Sequence, residues 1–260
     1  MSAVIRLGAI AAGVAAAVGL TLQPAVAVSK PAPGHPVVPA SSRGVAQVVA
    51  RAGAVLRPGT PIVPTPNRIE HCWQPAGRGV SLTFDDYGSC AQVKSIVAVL
   101  DRNHVRGRFF PLGNWVRTHG ALVRYFEAHG HAIGNHTYDH PDLTRVSDAT
   151  LRWEIRNGAT AVGSPKLLRP PYGAGAFTAR IRKAAAEKGL QVCFWTVDTR
   201  DWSGASARTI VRRVLYGDAT TPPARTDGVV LMHMFGAHTV AALQPMIDGL
   251  RARHVKLESK

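Results

Sequence analysis

Val80-Ser81-Leu82-Thr83-Phe84-Asp85-Asp86 is the stretch on which the reading of this chain turns. An uncharged run, short enough for a single buried strand, ends abruptly in two adjacent carboxylates. Runs of the same kind recur at 107–112, 131–135, 166–169, 191–197 and 229–233. Between them, segments 91–102, 114–129, 148–162, 175–188, 205–216 and 240–253 carry apolar residues at helical spacing. Strand–helix alternation predicts an α/β fold, a parallel sheet with helices outside it, as an open sheet or a barrel. In either, the side chains that act on ligands gather beyond the C-terminal ends of the strands. Polar residues fall at those positions repeatedly: after Phe84, after Asn135, after Leu168, after Val197 and at His233.

Each cluster has a chemistry and a plainer competitor. Asp85 and Asp86 project to opposite sides of a strand, so one can bind a metal while the other serves as a base; the alternative is an N-cap for the helix that follows. His136 and His140 lie four apart, a spacing that puts two imidazoles on one face of a helical turn. Imidazoles suit zinc and similar divalent ions, and Asp86 as third ligand would leave positions open for water and substrate. Chance spacing among 11 histidines is the competing account. Arg169-Pro170-Pro171-Tyr172-Gly173 reads as a stiff loop. It can aim a backbone amide at a developing oxyanion, with Arg169 gripping a carboxylate in two-pronged fashion; an ordinary tight loop with a solvent-facing arginine competes. Asp198-Thr199-Arg200-Asp201-Trp202 and Leu231-Met232-His233 close two further strands. A histidine beside a carboxylate suits a general acid, and Trp202 can supply an apolar wall for a substrate group; alone, His233 reads as a core or surface histidine.

The rest of the chain sets limits. Arg6 followed by an uncharged run over 7–20 and the Ala25-Val26-Ala27 triplet has the form of a cleavable export signal over 1–27. That run is shorter than the roughly 20 residues a membrane span needs, so the expectation is a secreted or cell-wall-associated protein that does not span the membrane after cleavage. Residues 28–69 are rich in proline, from Pro31 to Pro66, and read as a disordered, extended linker with a short helix over 46–56. That leaves 70–260 as one catalytic domain of ordinary size. The net charge is +15, with no acidic residue before Glu70. An anionic cell envelope is the expected counterpart, because no aromatic-interleaved basic motif or zinc-finger spacing supports specific nucleic-acid binding. Of the three cysteines, Cys72 and Cys90 flank a predicted strand and are the expected pair, leaving Cys193; three free thiols are the competing state. No G-x-S-x-G elbow occurs, which argues against a serine esterase.

Taken in order, Thr83-Phe84-Asp85-Asp86, His136-Thr137-x-x-His140, Arg169-Pro170-Pro171-Tyr172-Gly173, Asp198-x-x-Asp201-Trp202 and Leu231-x-His233 resemble the five motifs of the polysaccharide deacetylases, the NodB-homology group of carbohydrate esterases. The resemblance spans about residues 78 to 235. It implies an irregular (β/α) barrel and a divalent metal, usually zinc with cobalt as a workable substitute, held by Asp86, His136 and His140. It implies Asp85 as general base, Arg169 orienting Asp85, the Tyr172 amide in the oxyanion hole, and His233 as general acid tuned by Asp201. The implied activity is removal of N-acetyl groups from N-acetylglucosamine polymers, peptidoglycan first and chitin-like chains second; O-acetyl removal from xylan is the alternative. Two departures bear on substrate choice. Tyr87 stands where the family has glycine, positioned to narrow or line the sugar cleft. Met234-Phe235 follows His233 where an acidic residue is common, with His238 nearby as a second acid candidate.

Overall fold

The computed structural model describes residues 69–70, 72, 79–163 and 165–260. The signal, most of the linker and the short helix over 46–56 lie outside the described residues. Eight parallel strands and six helices alternate along the rest. They are β1 (Ile69–Glu70), β2 (Ser81–Asp86), α1 (Cys90–Arg102), β3 (Gly107–Pro111), α2 (Gly113–Ala128), β4 (Ala132–Ile133), α3 (Asp148–Val162), β5 (Leu167–Leu168), α4 (Ala179–Ala186), β6 (Gln191–Cys193), β7 (Val197–Asp198), α5 (Ala207–Tyr216), β8 (Val229–His233) and α6 (Thr239–Ala252). One sheet runs β4-β3-β2-β8-β7 and the other β1-β6-β5. Among the described residues, one parallel bridge, Asn135 to Leu168, joins them. The result is the expected (β/α) barrel, irregular because its wall is two sheets stitched at one residue.

The alternation in β2 explains both faces of the wall. Leu82 and Phe84 enter the layer between sheet and helices, where Phe84 stacks on Phe109 at 5.1 Å and Phe109 on Phe126 at 3.9 Å. Ser81, Thr83 and Asp85 share the opposite face. All six residues of β2 are buried, so the polar face lines the barrel interior. It does so in tiers. Ser81 donates to Glu258, which pairs with Arg108 from β3. Above it, Thr83 and Asp85 both accept from Arg169. Buried polar groups are tolerable only when satisfied, and here each tier is closed by a partner remote in sequence.

Helix starts follow local chemistry. Ser89, Ser147, Thr178 and Ser206 each accept a bond from an amide three residues on. Thr178 therefore begins α4 later than the expected residue 175. The expected strand 191–197 is broken because β6 belongs to one sheet and β7 to the other; Phe194 and Trp195, ring-stacked at 4.1 Å, make the crossing.

The cysteine expectation is corrected: the disulfide joins Cys72 to Cys193, and Cys90 is free and exposed. Parallel pairing of β1 with β6 puts Glu70 opposite Cys193, delivering Cys72 to it. Cys90 instead starts α1 on the outside, where no cysteine faces it. No helix among the described residues is long and apolar enough to cross a membrane.

Candidate active site

Asp85 and Asp86 close β2, and neither caps a helix; Ser89 does that. Asp86 turns into the left-handed region, φ 72°, and its backbone oxygen accepts from Leu112. This twist lets consecutive carboxylates that a regular strand would separate both reach the same end of the barrel. Thr137, His140 and Tyr172 also have positive φ, at 69°, 65° and 59°. Non-glycine residues held this way cost of order 1–3 kcal/mol each and concentrate at functional sites.

His136 and His140 come together, although not on a helical turn. The segment is a loop, and its two left-handed residues fold His140 back so that the Nε2 atoms of the two rings lie 3.2 Å apart. Three residues outside the motif hold this loop. Asn135, fully buried, accepts from the Thr137 amide and donates to the Ile155 carbonyl. Glu154 on α3 accepts from the amides of Tyr138 and Asp139, both at 2.9 Å. Gly158, one turn further along α3, lets the loop backbone approach the helix. The legible signal was Glu154 and Gly158 lying on the buried stripe Leu151, Glu154, Ile155, Gly158, Val162, where an apolar side chain is the normal occupant.

Asp86 Oδ1 lies 3.1 Å from His136 Nε2 and 3.2 Å from His140 Nε2. The donor set fits a divalent cation on two observations. That oxygen is buried without a hydrogen-bond partner. His136 Nδ1 is bonded to the Arg169 carbonyl at 2.7 Å, a contact only a protonated Nδ1 can make, so the Nε2 lone pair faces the cluster. Among the described residues, Asp86, His136 and His140 form the group whose ligand atoms converge within 4.8 Å. Burial opposes ionisation of Asp86, but the neighbouring imidazoles, His136 foremost and then His140 and His233, hold its carboxyl well below the usual range.

Flanking residues divide into two sides. Asp85 Oδ1 accepts from Arg169 Nη1 at 2.7 Å, leaving Oδ2 3.8 Å from His136 Nε2. Arg169 is fully buried and grips Asp85 by one prong; its Nη1 is shared with Thr83 Oγ1 at 2.8 Å. The expected two-pronged grip is replaced because Nη2 points to the disulfide sulfurs. On the other side, His233 Nδ1 bonds to Asp201 Oδ1 at 2.8 Å, and its Nε2 lies 4.0 Å from Asp86 Oδ2. Asp201 also accepts from the His233 amide, Thr239 Oγ1 and the Trp202 amide. Burial would lower the His233 pKa, but Asp201, then Asp86 and Asp85, outweigh it and raise it to about 9. His238, the second acid candidate, sits exposed at the start of α6, while the carboxylate bonded to His233 is Asp201. Exposed aromatics rim the opening. Tyr172, in the turn Pro171–Gly173, packs edge-on against His140 at 4.6 Å. Tyr87 stacks on Phe235 at 5.4 Å, and Phe235 leans on His233 at 5.1 Å. Trp202 is 44% exposed.

A (β/α) barrel with an Asp–His–His cluster at the C-terminal ends of its strands is an arrangement that hydrolytic metal sites use. Residues 74–193 match the family described as polysaccharide deacetylase. A chitooligosaccharide deacetylase of Rhizobium leguminosarum bv. trifolii is 35% identical over 199 residues, 70% of this chain and 90% of that protein. The solved structure of a family 4 carbohydrate esterase from Streptomyces lividans in complex with acetate superposes with a TM-score of 0.60 at 33% identity, over 68% of this chain and 90% of that one. The chain belongs to the polysaccharide deacetylase family. The peptidoglycan-N-acetylglucosamine deacetylase PgdA of Listeria monocytogenes is 34% identical over 181 residues, 67% of this chain; the match spans 36% of that longer protein.

Proposed function

We propose that this protein removes N-acetyl groups from N-acetylglucosamine-containing polysaccharide, with peptidoglycan as first substrate and chitin-like chains as second, using zinc at Asp86, His136 and His140. The observation that carries the reading is the two-sided site: a carboxylate held by a buried arginine on one flank of the cluster, a histidine held by a buried carboxylate on the other. When bound, the ion acidifies a water and polarises the acetyl carbonyl.

The chain's own groups supply the proton movements. Arg169 ties down Asp85 Oδ1, so Oδ2 faces the cluster and takes a proton from the attacking water. Asp201 holds His233 Nδ1, so the Nε2 proton points towards the departing amine nitrogen. Water and amide thereby become acetate and free amine, with no serine nucleophile. The Tyr172 amide, set by the left-handed turn after Pro170-Pro171, serves the oxyanion. Trp202, Tyr172 and the Tyr87–Phe235 pair offer flat apolar faces for sugar rings and the acetyl methyl group. The names of the Listeria and Rhizobium relatives support an N-acetylated substrate. The export signal and basic linker support work at the anionic cell envelope.

The test is acetate release on a panel of peptidoglycan, chitin oligomers and acetylated xylan, with and without chelator. Release from the N-acetylated polymers, abolished by chelation and restored by zinc or cobalt, is expected. Release from xylan alone would move the assignment to O-acetyl esterase, and activity indifferent to chelation would overturn the metal reading. For location, the exported protein is expected to begin at Val28 and to leave isolated walls as salt is raised.

A further inference from the structure

Arg169 is a cation with no solvent exposure, and only part of it is used by Asp85. Nη1 serves Asp85 and Thr83; Nη2 lies 3.1 Å from Cys72 Sγ and 3.1 Å from Cys193 Sγ. The guanidinium carbon sits 4.3 Å from the Phe110 ring centre and 5.9 Å from that of Trp195. Nε is buried without a hydrogen-bond partner. The disulfide itself lies in an apolar cluster with Phe110, Leu167 and Val229. Asp85 and Thr83 are therefore in front of the guanidinium, aromatic rings beside it, and the disulfide is the wall behind.

We infer that the Cys72–Cys193 disulfide is a positioning group for Arg169, and through it for Asp85, so that turnover depends on the oxidation state of this bond. The inference rests on the proposed role of Asp85 as base. A disulfide suits the place because both sulfurs accept and neither carries a proton. Reduction by a thiol, Cys–S–S–Cys + 2 RSH → 2 Cys–SH + RS–SR, leaves each sulfur able to accept but adds to each a proton that has to be accommodated beside Nη2. It also separates the sulfurs from a bond of about 2.05 Å to non-bonded contact, roughly 1.5 Å further, inside a dry, packed pocket. The guanidinium has Asp85 and Thr83 on its open side and must shift against them. A displacement of about 1 Å in a catalytic constellation can cost on the order of 100-fold in rate. The arrangement ties full activity to an oxidising compartment, where such a bond persists.

The test uses the metal-loaded full chain carrying Cys90→Ser, so that no third thiol can exchange. The bond is reduced with a trialkylphosphine (phosphine + H2O + Cys–S–S–Cys → phosphine oxide + 2 Cys–SH), and disulfide content is read by alkylation and mass. Across the titration, kcat for acetate release should fall 10-fold or more in step with the disulfide fraction, with KM and bound metal within twofold, and recover on reoxidation. The Arg169 guanidinium NMR signals, assigned by their loss in Arg169→Lys, should move on the same curve. Unchanged kcat and unchanged guanidinium signals in the reduced, folded protein would overturn the inference. Moved signals with no acetate release even from the oxidised protein would leave the positioning role standing and fail the deacetylase reading instead. If the reduced protein unfolds, Cys72→Ala/Cys193→Val provides an apolar pocket without the bond. A folded double variant must show the same kcat loss and signal shift. Wild-type kcat in that variant, or unfolding of both proteins, would make the bond a staple of the fold and reject the role.

Discussion

Replacing Gly158 by alanine sets two physical effects against each other. Gly158 lies in the middle of α3, where alanine is intrinsically favoured over glycine by about 1 kcal/mol. On propensity alone the variant gains stability. The space does not allow it: a Cβ built there meets Asn135 Oδ1 at 2.3 Å, the Thr137 carbonyl carbon at 2.6 Å and its oxygen at 2.7 Å. Ordinary contact begins near 3.4 Å, so loop and helix must part by roughly 0.8 Å or more. Two of these neighbours are backbone atoms, and Asn135 is held by its own bond to Ile155, so no flexible tip can swing aside. Overpacking of this kind costs about 1–3 kcal/mol, which cancels or exceeds the helix gain. Asn135 and Thr137 flank His136, so the displacement passes directly to an imidazole of the cluster. Gly158→Ala should therefore bind zinc at least 10-fold more weakly and lose about 10- to 100-fold in kcat/KM, with no rise in melting temperature. Isothermal titration of the apo-protein with zinc, acetate-release kinetics and thermal unfolding measure the three quantities. Higher stability with unchanged zinc affinity and activity would refute the packing argument.

The division of labour between the flanks makes further outcomes specific. His136→Ala should lose bound metal, read by elemental analysis, whereas Asp85→Asn should keep it and lose turnover by 100-fold or more; the reverse pattern would exchange the two roles. Asp201→Asn removes the main partner that raises His233. The alkaline limb of the kcat profile should then move down by about one pH unit or more towards ordinary imidazole, and an unmoved limb would remove His233 as the acid. His131 is buried neutral, with Nδ1 accepting from the Gly107 amide at 3.1 Å. Burial first, then the charge of Lys260, lowers its pKa from 6.5 to about 4. The unfolded chain therefore binds the proton first on acidification. Stability should be full above pH 6.5 and fall as pH drops towards 4, with denaturant unfolding at several pH values showing a shallower slope in His131→Gln.

Much of this was legible in the one-dimensional pattern, for identifiable reasons. Apolar runs ending in polar clusters mark the C-terminal ends of strands, so the α/β class and the gathering of Asp85, Asp86, His136, His140, Arg169, Asp201 and His233 at one end of the barrel could be read without coordinates. Serine and threonine caps set four helix starts by local chemistry, but the reading from apolar spacing alone did not use them and placed the start of α4 at 175 instead of after Thr178. The cysteine pairing could not be read, because it depends on β1 lying beside β6 across 121 residues of separation. The helical reading of His136 and His140 failed because spacing of four is equally met by a loop folded back at Thr137 and His140.

What the sequence alone determined was the period of each segment and the set of groups able to do the chemistry, since both follow from side-chain type and near neighbours. The tertiary structure decided which atom of each group faces the cluster. The left-handed turn at Asp86 brings both carboxylates to one end of the barrel, the Arg169 carbonyl fixes the tautomer of His136, and the disulfide diverts half of the Arg169 fork away from Asp85. Those choices depend on contacts between residues far apart in the chain, which no local pattern encodes.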